Sequence, residues 1–146
     1  MKKVFSFLFV ALMAILPALA GEIVTQDINQ LPQQARSFIT KYFGNVKVSH
    51  IKIDSDFLQG KKYEVTLTDR TEIDFDSKGR WTEVDCQKKA VPAGLVPTYI
   101  QSYVNANFPR ETITKMERKH GHIEAELSND YTLKFSKKGK FIGMDN

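Results

Sequence analysis

A chain of 146 residues is enough for one ordinary domain or two very small ones. It carries 21 basic and 17 acidic side chains, a formal net charge of +4, and a single cysteine. The lone thiol excludes an internal disulfide, so stability has to come from an apolar core. No basic run is interleaved with aromatics, which argues against a nucleic-acid partner.

Residues 1–20, MKKVFSFLFVALMAILPALA, have the grammar of a secretory signal. Lys2 and Lys3 precede an apolar run too short to span a bilayer comfortably, and Ala18, Leu19 and Ala20 supply a small-x-small cleavage pattern. The mature chain is expected to begin near Gly21, in the periplasm or outside the cell, with no stable membrane span. Loss of Lys2 and Lys3 reduces the net charge to +2.

Leu31, Ala35, Phe38, Ile39 and Tyr42 then recur at the spacing of one helical face. Pro32 is tolerated only in a first turn, and Gly44 ends the helix. Val48 and Ile51 sit three apart, which a regular strand cannot place on one face, so a bulge is expected in the strand that holds them. Tyr63, Val65 and Leu67 alternate with Glu64, Thr66 and Thr68, the pattern of a half-buried antiparallel strand. Ile73 and Phe75 continue the apolar face. The stretch FDSKGRW (residues 75–81) supplies a hairpin in which Gly79 can take a positive φ. Thr82, Val84 and Cys86 are expected on one face of the strand after it, and Cys86 reads as a small buried hydrophobe.

The same grammar returns after the linker QKKAVPAGLVP. At an offset of 65, Pro97 falls on Pro32, Ile100 on Ala35, Tyr103 on Phe38 and Met116 on Ile51. At an offset of 60, Ile123, Ala125, Leu127, Leu133, Phe135, Gly139 and Phe141 fall on Tyr63, Val65, Leu67, Ile73, Phe75, Gly79 and Trp81. Ile113 and Met116 repeat the three-residue step. The expected architecture is α+β, with residues 21–88 and 89–146 as two tandem repeats. Each lays a helix on a four-stranded antiparallel sheet, both helices on one side. Strict alternation in the last strand of each repeat would turn Trp81 and Phe141 away from the helices, onto an open face where they could anchor a partner.

The run EIDFDSKGRWTEVDCQKKAVP (residues 72–92) and its echo resemble the β-lactamase-inhibitor-like, PepSY-like family of exported bacterial proteins, over about residues 31–145. The resemblance implies tandem repeats of a helix on a four-stranded sheet, an extracytoplasmic location and binding to, or inhibition of, another protein through the sheet face. It supplies no contact residues that map onto this chain.

Chemistry-bearing constellations are sparse. His120, His122, Glu124 and Glu126 would share one face of an extended strand, making His120, His122 and Glu124 the weak candidates for a divalent metal, short of a closed ligand set. Asp74, Asp76 and Gly79 begin like a calcium loop, but Lys78 falls on a ligand position and Asp85 where a glutamate is usual. Cys86 has no activating neighbour in sequence to pair it with His50, His120 or His122. No nucleophile elbow or phosphate loop is present. The reading is a non-enzymatic exported module, without a cofactor, that docks an envelope protein or peptide through Trp81 and Phe141. The alternative is a small-ligand or divalent-metal-binding envelope protein.

Overall fold

The computed structural model describes residues 21–56 and 58–146; the signal-sequence reading of residues 1–20 lies outside them. Strand β1 (Glu22–Thr25) precedes helix α1 (Gln33–Phe43), which is followed by β2 (Val48–Asp56), β3 (Gly60–Leu67), β4 (Glu72–Phe75) and β5 (Trp81–Asp85). Helix α2 (Thr98–Asn107) leads into β6 (Ile113–Arg118), β7 (His122–Leu127), β8 (Thr132–Ser136) and β9 (Phe141–Asp145). Short 3-10 turns at Ile28–Gln30 and Ala93–Leu95 precede the helices.

The expected pair of helix-plus-four-strand repeats is corrected. Among the described residues the strands form one nine-stranded antiparallel sheet, in the order of the chain, so these residues are mainly sheet. Two features produce this. β1 adds a strand that the apolar pattern did not reveal, pairing Thr25 with Ile51 and Ile23 with Ile53. β5 and β6 are joined by a ladder in which Val84 meets Met116, extended by a hydrogen bond from Cys86 N to Thr114 O at 2.9 Å. A seam between separate sheets would leave those backbone groups unpaired, at a cost comparable to lost hydrogen bonds.

Both helices start where proline dictates. Pro32 and Pro97 stand at their N-caps, and Gly44 and Phe108, the latter just before Pro109, stand at their C-caps. Ala35, Ile39 and Phe43 of α1 and Ile100 and Val104 of α2 are buried. Directly opposed residues in an antiparallel ladder share a face. Ile51, Val65, Ile73, Val84, Met116, Ala125 and Leu133 therefore form one apolar row across the sheet. Every one of them is essentially inaccessible, and they make one core with the helices. The linker joins it, burying Val91 and Leu95.

The bulges expected in the first strand of each half are present. The register shifts between Val48 and His50 in β2 and between Ile113 and Lys115 in β6. Two further bulges were not foreseen. In β5, Glu83 faces Asp74 and Trp81 faces Phe75, so Thr82 is an extra residue. In β9, Ile142 is extra in the same way.

The two hairpins that close β4 to β5 and β8 to β9 share one side-chain bond across the turn. Asp76 Oδ1 accepts from Arg80 N at 3.0 Å, and Ser136 Oγ accepts from Lys140 N at 3.0 Å. Gly79 and Gly139 hold φ of 81° and 93°. Each corner sits under the start of a helix. A Cβ on Gly79 would lie 2.8 Å from Pro32 Cβ, and one on Gly139 would lie 3.3 Å from the Tyr99 ring.

Candidate functional site

The unforeseen bulges decide where the aromatic pair goes. Because Thr82 is the extra residue, Trp81 shares the face of Phe75 and Val84 and lies under α1, 8% exposed. Phe38 approaches its ring at 6.4 Å between centroids, and the Arg118 guanidinium covers it at 3.8 Å. Phe141 likewise shares the face of Phe135 and stacks on Tyr103 of α2 at 4.7 Å. The expectation that Trp81 and Phe141 point away from the helices is corrected, since strict alternation fails at a bulge. Their assignment as partner anchors on the open face loses its geometric basis.

The open face carries charge instead. Lys52, Glu64, Asp74, Glu83, Glu117, Glu124 and Lys134 oppose one another in turn from β2 to β8, out of phase with the apolar row. Four successive contacts in this row set carboxylate against carboxylate. Glu64 faces Asp74, Asp74 faces Glu83, Glu83 faces Glu117 and Glu117 faces Glu124. A parallel row adds Glu72, Asp85 and Glu126 around Lys115. Like charges placed directly opposite each other destabilise a sheet.

Lysines relieve part of this load. Lys115 Nζ lies 2.7 Å from Glu83, and Lys119 Nζ lies 3.0 Å from Glu117. Burial alone would lower the Lys115 pKa, but its hydrogen bond to Glu83 and the surrounding acids raise it. At the flank, Lys52 Nζ reaches Glu64 at 3.5 Å. Among the described residues no basic side chain forms an ion pair with Asp74. Burial, followed by the charges of Glu83, Glu64 and Glu72, pushes its carboxyl up to about 6. Two surface concavities share Glu64 and Asp74. One, of about 360 Å³, includes His50, Glu72 and Glu83; the other, of about 430 Å³, includes Tyr63 and Arg80.

The histidine candidates divide. His122 Nε2 lies 2.8 Å from Glu124 Oε1 on β7, while His120 is exposed in the turn before that strand. Among the described residues no three His, Cys, Asp or Glu side chains are grouped so as to hold a metal ion. The calcium-like stretch is the hairpin already described, with Asp76 spent on Lys78 N, Arg80 N and Arg80 Nε. Cys86 is free and buried, and burial pushes its thiol up to about 11, far from the range of a reactive nucleophile.

Sequence reading missed the carboxylate row. Its signal was present in the alternation of Glu72 with Asp74, Glu83 with Asp85 and Glu124 with Glu126. What the sequence does not display is that five successive strands, β3 to β7, set these acids opposite one another.

The described residues form one antiparallel sheet with both helices on one side and a charged open face on the other. Residues 61–143 match the family described as "Putative beta-lactamase-inhibitor-like, PepSY-like", and the chain belongs to that family. Among solved structures, it is similar to a periplasmic protein of unknown function from Bacteroides vulgatus, 39% identical with a TM-score of 0.83, covering 86% of this chain and 100% of the other. It is also similar to a "putative calcium-regulated periplasmic protein" from Bacteroides thetaiotaomicron, 41% identical with a TM-score of 0.81, covering 86% and 97%. No curated protein matches the sequence. Among the described residues no helix is long and apolar enough to cross a membrane.

Proposed function

We propose that this protein is an exported, non-enzymatic module that holds a cationic segment of an envelope protein or peptide on its open sheet face. The observation that carries the reading is the unbroken carboxylate row of Glu64, Asp74, Glu83, Glu117 and Glu124 on a chain whose overall charge is basic. Opposed like charges cost stability, and a bound cation converts that cost into affinity and fast, salt-dependent association. The periplasmic relatives support an envelope location, and the family description supports an inhibitor-like role. Trp81 packs beneath this face, on the strand that presents Glu83.

An oligolysine peptide is the direct probe. It is expected to bind with an affinity that falls steeply as salt rises. The double variant Glu83→Gln, Glu117→Gln should bind about tenfold more weakly or worse. Equal binding by the double variant would remove the face from the proposal. Calcium, which the Bacteroides thetaiotaomicron relative is described as responding to, is expected to compete with the peptide.

A further inference from the structure

We infer that two copies of this chain join through β9, continuing the sheet across a two-fold axis at Met144. The argument starts from the direction of backbone groups. In an antiparallel ladder, residues alternate between exchanging hydrogen bonds with one neighbouring strand and with the other. Leu127 N donates to Tyr131 O, so Leu133 directs its N–H and C=O towards β7. Thr132 and Lys134 therefore direct theirs to Asp145 and Gly143 of β9, which leaves the N–H and C=O of Met144 on the far edge. Among the described residues no strand lies there.

The first half shows what belongs in that position. Val84 stands sixty residues before Met144, and the same alternation directs its N–H and C=O to Met116 of β6. The bond from Cys86 N to Thr114 O confirms the phase. Val84 is 0% exposed, whereas Met144 is 47% exposed and the neighbouring Ile142 is 58% exposed. The edge of β9 carries no lysine or proline in Phe141–Asp145, and its bulge at Ile142 matches the one in β5, which pairs with β6 all the same.

A second copy of β9 fits this edge better than β1 does. Pairing Met144 with its twin keeps the helices of both copies on one side. It places Gly143, which has no side chain, opposite the twin's Asp145, next to Lys134 across the ladder. Lys134 already pairs with its own Asp145, so each lysine can serve either copy. On the other outer strand, the residues whose backbone faces outward are Glu22 and Val24, and the Val24 side chain lies in the row of Lys52 and Glu64 on the charged face. Joining Met144 to Val24 of another copy would therefore flip one copy relative to the other.

Sedimentation of the purified exported protein across the micromolar range should show a monomer–dimer equilibrium. Met144→Pro, which removes the outward N–H at an exposed edge position, should weaken it about tenfold or more while leaving the far-ultraviolet circular dichroism unchanged. In a Cys86→Ser background, Met144→Cys should oxidise to a covalent dimer, because a hydrogen-bonded antiparallel pair sets Cα atoms about 5.5 Å apart, within disulfide reach. Ile23→Cys in the same background should not. A protein that stays monomeric throughout, a dimer unaffected by Met144→Pro, or preferential cross-linking at Ile23→Cys each overturns the inference.

Discussion

The hairpins of residues 75–81 and 135–141 share a turn, a bulge and a glycine corner, yet they seat their aromatics to different depths. In the first half Trp81 is sealed between Phe38 and Arg118, and its strand is covered by β6. In the second half Phe141 stacks on Tyr103 and remains partly exposed, and the strand beyond is the sheet edge. The difference shows that one backbone template can be closed or left open according to what pairs with its last strand. Burial follows from the neighbour as much as from the residue.

The largest expected contrast comes from removing the two rings. Trp81→Ala should cost about 3–5 kcal/mol in urea unfolding, as for a buried aromatic, and Phe141→Ala about half of that. Equal losses would mean that the edge strand is covered in solution and would sharpen the case for a β9 partner. The glycine corners should differ next. Both need a positive φ, but only Gly79 brings a new Cβ against Pro32 and the Ala35 backbone. Gly79→Ala should cost about 2–3 kcal/mol and Gly139→Ala about 1 kcal/mol, since the Tyr99 ring can shift.

The smallest contrast is electrostatic. Asp74 and its counterpart Lys134 occupy equivalent places, but Asp74 is crowded by acids whereas Lys134 pairs with Asp145. The folded protein raises the Asp74 pKa from 3.8 to about 6, so it holds that proton more tightly than the unfolded chain does. This contribution to stability is full below the unfolded value and is lost as pH rises through the folded one. Asp74→Asn should flatten the decline in unfolding midpoint between about pH 4 and about pH 6, and Lys134→Gln should leave it in place. A wild-type midpoint that does not fall across that window would show the carboxyl to be fully hydrated.

The helix faces, the hairpin corners and the first-strand bulges were legible because each leaves a local mark: a proline at a helix start, a glycine at a corner, or apolar residues three apart. Trp81 and Val84 carry that same three-residue step, as do Phe141 and Met144, so the second pair of bulges was open to the reasoning that found the first. Thr82, Val84 and Cys86 mask that step by offering a regular alternation over the same strand. β1 was missed for a different reason. Glu22–Thr25 is four residues long and exposed, so it has no apolar period to betray it. The carboxylate row was beyond single-strand reading altogether, because it exists only once the register between distant segments is set.

Every strand of the sheet bonds to its neighbours in chain order, which places the first and last described strands at opposite rims. At about 4.8 Å per strand, those rims lie about 38 Å apart. A load applied between the two rims pulls across the ladders rather than along them, so it falls mainly on one seam at a time. Such a molecule should pay out under low tension as a series of short extensions, unlike a fold whose terminal strands are sheared side by side.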